Sequence, residues 1–127
     1  MISIDKLPLH DSYILGIDIK TNTDHFDTIT ITLESSAYID LYQTKTIKLN
    51  FKDCFKAKLD LQMWISGKDS IRSLDVLNEE KSIVLVNPVN KEFGPSANDL
   101  VHYHINLNIS NSNIDIWAKD LEIKPVS

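Results

Sequence analysis

A chain of 127 residues, 43% hydrophobic and 24% charged, has the size and balance of one globular domain spanning 1–127, and that balance excludes a disordered segment. A net charge of −5 and a single arginine, Arg72, speak against a nucleic-acid binder, whose affinity comes largely from cations facing phosphates. No apolar run reaches the length of a membrane helix, Met1–His10 lacks a secretory apolar core, and the lone Cys54 cannot form an internal disulfide, so the expected compartment is the cytoplasm.

Alternation with a period of two, which places every second side chain on one face of a strand, dominates the chain. Tyr13, Leu15, Ile17 and Ile19 alternate with Ile14, Gly16, Asp18 and Lys20, and after a turn-like Thr21–Asp24 the pattern resumes at Ile29, Ile31 and Leu33 between threonines. Two such runs joined by a short polar segment predict a hairpin. Ile47, Leu49 and Phe51 begin a third run that continues through Phe55, Ala57, Leu59, Leu61 and Met63. A typical strand is about five or six residues, so a turn or bend is expected near Lys52–Cys54, with Asp53 as its turn residue.

Trp64–Asp69 reads as a turn, and Ser70–Asn78 as a short strand with helical spacing as the alternative. Ser82–Val86 reads as a buried strand stopped by Asn87-Pro88, and the Pro- and Asn-rich stretch to Asn98 as a loop. Val101, Tyr103, Ile105, Leu107 and Ile109 alternate with His102, His104, Asn106 and Asn108, and Ser110–Asn113 is expected to turn the chain into a last strand, Ile114–Lys124. There Ile114 and Ile116 are out of phase with Leu121 and Ile123, which predicts a β-bulge between Trp117 and Asp120. The expected fold is mainly β: one antiparallel sandwich or partly open barrel of about eight strands, with a short helix within 64–80 as a variant.

His102 and His104 share a face of their strand, the arrangement in which two imidazoles reach one metal ion, and His10 and Asp11 are the further ligand candidates. No third ligand follows in sequence, since Asn106 and Asn108 occupy the next positions on that face. The pair therefore reads first as part of a polar, solvent-facing stripe, and no metal or cofactor is assigned. His10-Asp11-Ser12 holds the residue types of a hydrolytic triad, but neighbours on a strand diverge and no Gly-x-Ser-x-Gly elbow exists. These residues read instead as turn formers at the entry to the first strand, accepting backbone N–H bonds. Cys54 reads as core, and the lysines Lys45, Lys48, Lys52, Lys56 and Lys58 as protection of a strand edge.

Charge is unevenly spread: residues 1–40 hold seven acids against two lysines, and residues 41–70 six lysines against three acids. Asp18, Asp24 and Asp27 in the acidic third suit steering towards a basic partner, and Trp64 and Trp117 are candidate interface anchors.

The order of features also resembles a family. Leu9-His10-Asp11-Ser12 opens a strand, a threonine-rich strand follows, then Ile47-Lys48-Leu49-Asn50-Phe51-Lys52-Asp53-Cys54, and a late His-containing strand precedes Ile114-Asp115-Ile116-Trp117. This resembles small bacterial β-rich proteins of the immunity type, including those described as immunity protein 50-like. The resemblance implies a cytoplasmic, non-enzymatic protein that binds and neutralises a cognate toxin, and it brings no catalytic residues. The expected function is thus protein binding, with metal or ligand binding on the His102/His104 face as the alternative and self-association as a further mode.

Overall fold

A computed structural model describes residues 7–21, 27–61, 70–77, 100–108 and 112–126. Six strands lie within them: Tyr13–Lys20 (β1), Asp27–Glu34 (β2), Thr46–Asp60 (β3), Ile71–Leu77 (β4), Val101–Leu107 (β5) and Asn113–Val126 (β6). They form one sheet in the order β1-β2-β3-β6-β5-β4, antiparallel throughout. The mainly β, antiparallel character follows from the alternation. The count of strands among the described residues is six, in a single sheet, rather than about eight as expected from the turn signals. Ser82–Val86, read as a strand, lies outside the described residues, as do Asp24 and Trp64.

β1 and β2 pair antiparallel as expected, and Ile29, Ile31 and Leu33 are buried while the intervening threonines are not; in β1 a bulge between Ile14 and Gly16 breaks the expected phase, so Ile14 is buried and Tyr13 and Leu15 are exposed. The turn or bend expected near Lys52–Cys54 is a bend at Asp53 within a continuous strand, not a chain reversal. β3 runs unbroken for 15 residues because the 14-residue β6 supplies a ladder along it, from Thr46↔Val126 to Asp60↔Asn113. Asp53 instead takes a left-handed conformation, φ 54°. That kink lets Phe51 and Cys54, three residues apart, both turn into the core. Aspartate tolerates this conformation better than most residues because its short polar side chain bonds locally.

A bulge is expected in β6 between Trp117 and Asp120; the register of the ladder shifts at Trp117–Ala118, but the extra residue lies in β3, where Cys54 pairs with Ala118 and Lys56 with Trp117. Ile114 and Ile116 before the slip, and Leu121 and Ile123 after it, pack on one core. Of the stretch read as strand or short helix, Ile71–Leu77 is a strand, and 62–69 lie outside the described residues. A 3-10 turn, Ser36–Tyr38, and a one-turn helix, Ile39–Tyr42 (α1), link β2 to β3; neither is marked by any alternation in the sequence.

The core joins Ile31, Leu33, Ile47, Leu49, Phe51, Ile105, Ile114 and Ile116, each with almost no exposed surface. Each such side chain contributes about 1.5–3 kcal/mol on leaving water. Phe51 and Tyr103 meet edge to face with centroids 5.1 Å apart.

The two edge strands approach each other at one end. A bridge joins Tyr13 to Ser70, Asp11 N–H donates to Ile71 O at 2.7 Å, and Ile71 N–H donates to Ser12 O at 2.8 Å. The sheet is therefore curled, but it is not closed along the rest of β1 and β4 among the described residues.

Candidate functional site

Because Tyr103, Ile105 and Leu107 fill the core, His102 and His104 project from the opposite face of β5. The same logic sends Asp115 and Trp117 outward from β6, whose Ile114 and Ile116 are buried. The ladder pairs His104 with Asp115 and His102 with Trp117, so four side chains from two strands converge. Asp115 Oδ1 lies 2.8 Å from His102 Nε2 and 2.6 Å from His104 Nδ1. The His102 ring stacks on the Trp117 indole with centroids 4.2 Å apart and planes 19° from parallel. Lys56 Nζ sits 5.1 Å from the indole centroid, and the ladder places Lys58 opposite Asp115 and Asp75 opposite His104.

This geometry revises the solvent-facing stripe. The His102 side chain is only 6% exposed, and those of Asp115 and His104 are partly exposed at 17% and 27%. Burial disfavours the charged carboxylate of Asp115, but hydrogen bonds from His104 and His102, with the charge those rings carry when protonated, outweigh it and hold its pKa below the ordinary value. The three donor atoms lie within 4.8 Å of one another.

Asp115 is the residue that the sequence alone did not bring to the pair. The expected turn at Ser110–Asn113 would have centred the hairpin two residues later and set a different residue against His104. The actual ladder pairs Asn106 with Asn113. Partner identity in a hairpin depends on turn position, and a shift there exchanges every cross-strand neighbour.

His10 and Asp11 do not join this cluster. Both are exposed; His10 Nδ1 lies 2.9 Å from Arg72 O, and Asp11 Oδ1 accepts from Asn108 Nδ2 at 3.1 Å. Asp11 takes a left-handed turn conformation, φ 65°. The Ser12 hydroxyl is buried, contacting Pro8 O at 3.3 Å and the Tyr38 hydroxyl more closely. The turn-forming role holds for this segment, but its side chains tie β1 to β4, β5 and the 3-10 turn rather than accepting backbone N–H bonds.

The partner-facing candidates divide. Asp18 is exposed on β1, Asp27 is half-buried at the start of β2, and Trp117 belongs to the histidine cluster rather than to the core. Beside Asp18, Tyr13, Leu15 and Ile19 are 47%, 43% and 50% exposed on an edge strand. A shallow cavity of about 230 Å³ opens at the far end of β1, lined by Ile19, Asp27, Ile29, Cys54 and Ala57 among others. Cys54 is buried, and burial pushes its thiol up to about 11. Lys48, Lys52, Lys56 and Lys58 stand on β3, a central strand, so they do not guard an edge, and Lys52 donates to Glu122 Oε2 at 2.6 Å. No helix among the described residues is long and apolar enough to cross a membrane. Comparisons with family models, curated proteins and solved structures find no significant match.

Proposed function

We propose that this chain is a non-enzymatic protein-binding domain of the immunity type, which docks a basic partner protein along β1. The observation that carries the reading is the exposure of Tyr13, Leu15 and Ile19 along one edge strand, with Tyr13 opposite Glu34 on the outer face and Ile19 opposite Ile29 on the core side. Large apolar and aromatic side chains gathered on a rim element are the usual material of an interface centre. Asp18 on the same strand, Asp11 before it and Glu34 opposite Tyr13 give this edge an acidic balance against the single Lys20. That rim complements a basic protein surface, as would be presented by a toxin that acts on nucleic acid. Beyond the Tyr13–Ser70 bridge, the outer edge of β1 has no paired strand among the described residues and offers backbone groups for addition of a strand from the partner.

The test is a binding measurement against the product of a toxin-like gene encoded beside this one. Leu15→Asp and Ile19→Asp are expected to weaken the complex by at least about tenfold, the effect of losing an interface anchor. Asp18→Lys is expected to slow association and to reduce its dependence on salt. Unchanged affinity in all three variants overturns the reading, as does the absence of any complex. A stable dimer of the chain that the same variants dissociate would put a second copy in the partner's place, and would also overturn it.

A further inference from the structure

We propose that His102, His104 and Asp115 form a binding site for one divalent transition-metal ion of the zinc class. The inference is independent of docking at β1, since the cluster lies on β5 and β6, at the other side of the sheet order.

Three features support it. The first is the donor set: two imidazoles and a carboxylate suit zinc and its neighbours, whereas calcium and magnesium call for oxygen ligands throughout. The second is spacing. Bonds of about 2.0–2.1 Å to a single ion place tetrahedral donors roughly 3.4 Å apart. The Asp115–imidazole separations of 2.6 and 2.8 Å fall within about 1 Å of that value and all three donors lie within 4.8 Å of one another, so small side-chain rotations suffice. The third is rigidity: the donors stand on two hydrogen-bonded strands, and the Trp117 indole stacked on His102 fixes that ring plane. Ligands held by packing lose little freedom on binding.

The imidazole N–H groups of His102 and His104 share Asp115 Oδ1. Binding requires each of those nitrogens to present its lone pair, so the ring proton moves to the other nitrogen or leaves as a proton. Asp75, opposite His104 on β4, is on the correct face to approach the ion as a further oxygen donor. Lys58, opposite Asp115, is a nearby positive charge that works against binding.

The test uses the full chain, stripped with a chelator and titrated with Zn²⁺ by calorimetry, with Co²⁺ as a visible-absorption probe of ligand type. One ion per chain is expected. His104→Ala and Asp115→Asn are expected to lower the affinity by at least about tenfold, while His10→Ala, which alters an exposed histidine outside the cluster, leaves it unchanged. In the unaltered chain, nitrogen NMR should show Zn²⁺ shifting the ring resonances of both His102 and His104, a readout that does not depend on any variant folding. Failure to bind at one equivalent overturns the proposal. So does binding that survives both cluster variants, or that leaves the two ring resonances in place.

Discussion

Replacing Asp115 by alanine isolates what the cluster contributes to stability, and its size can be worked from geometry. The carboxylate accepts from two imidazoles at 2.6 and 2.8 Å. A hydrogen bond to a charged group is worth about 1.5–3 kcal/mol, and the cost of losing an acceptor depends on whether water replaces it. The His104 side chain, 27% exposed, can turn to water; the His102 side chain, 6% exposed, has little access to it. The expected loss is therefore about 2–4 kcal/mol, most of it through His102. Urea unfolding in the presence of a chelator measures it: the midpoint should fall by roughly 1–2 M with the slope unchanged. Double-mutant cycles sharpen the assignment, since the Asp115–His102 coupling should exceed the Asp115–His104 coupling. A loss below about 0.5 kcal/mol, the level of an ordinary surface change, would refute the reasoning.

Three further outcomes are expected. Native Cys54, its thiol pushed up to about 11, should resist iodoacetamide at pH 8 and react only on unfolding; because its folded pKa lies above the unfolded value, the thiol's contribution to stability is full below pH 9 and is lost as pH rises towards 11. Labelling of the folded chain at the rate of an exposed thiol would contradict this. Glu122 is held down to about 2, chiefly by its hydrogen bond to Lys52 and then by Lys124, so its contribution is full above the ordinary carboxylate value and is lost as pH falls towards 2. Lys52→Gln should flatten that part of the acid-unfolding profile, and an unaltered profile would show the pair to be inert. Asp53→Val should cost about 1–2 kcal/mol in thermal or urea unfolding because a β-branched residue is strained at φ 54°, while Asp53→Gly should not; equal losses would exclude a conformational origin.

The alternation of Ile29–Leu33, Ile47–Phe51 and Val101–Leu107 made the β-class and the inward faces legible, because burial on one side of a strand imposes a period of two. Asp53 was legible as an irregularity but not as a bulge: a left-handed residue serves equally in a turn and in a kinked strand. Only the long partner β6 decides between them. His102 and His104 were legible as a pair. Their convergence on Asp115 was not, since it depends on where the hairpin is centred, and several polar residues in succession mark a turn without fixing its midpoint. The exposure of Tyr13, Leu15 and Ile19 was hidden for a related reason. Ile14 breaks the alternation of β1, and only the bulge between Ile14 and Gly16 decides that Ile14 faces the core while Tyr13 and Leu15 do not.

Hydrogen exchange on the complex tests the central claim, docking of a protein at β1, most directly. With the toxin-like partner bound, backbone amides on the outer edge of β1 between Leu15 and Lys20 should gain protection while those of β5 and β6 keep their free-state rates. Protection confined to β4 and β5, with β1 exchanging as in the free chain, would contradict it.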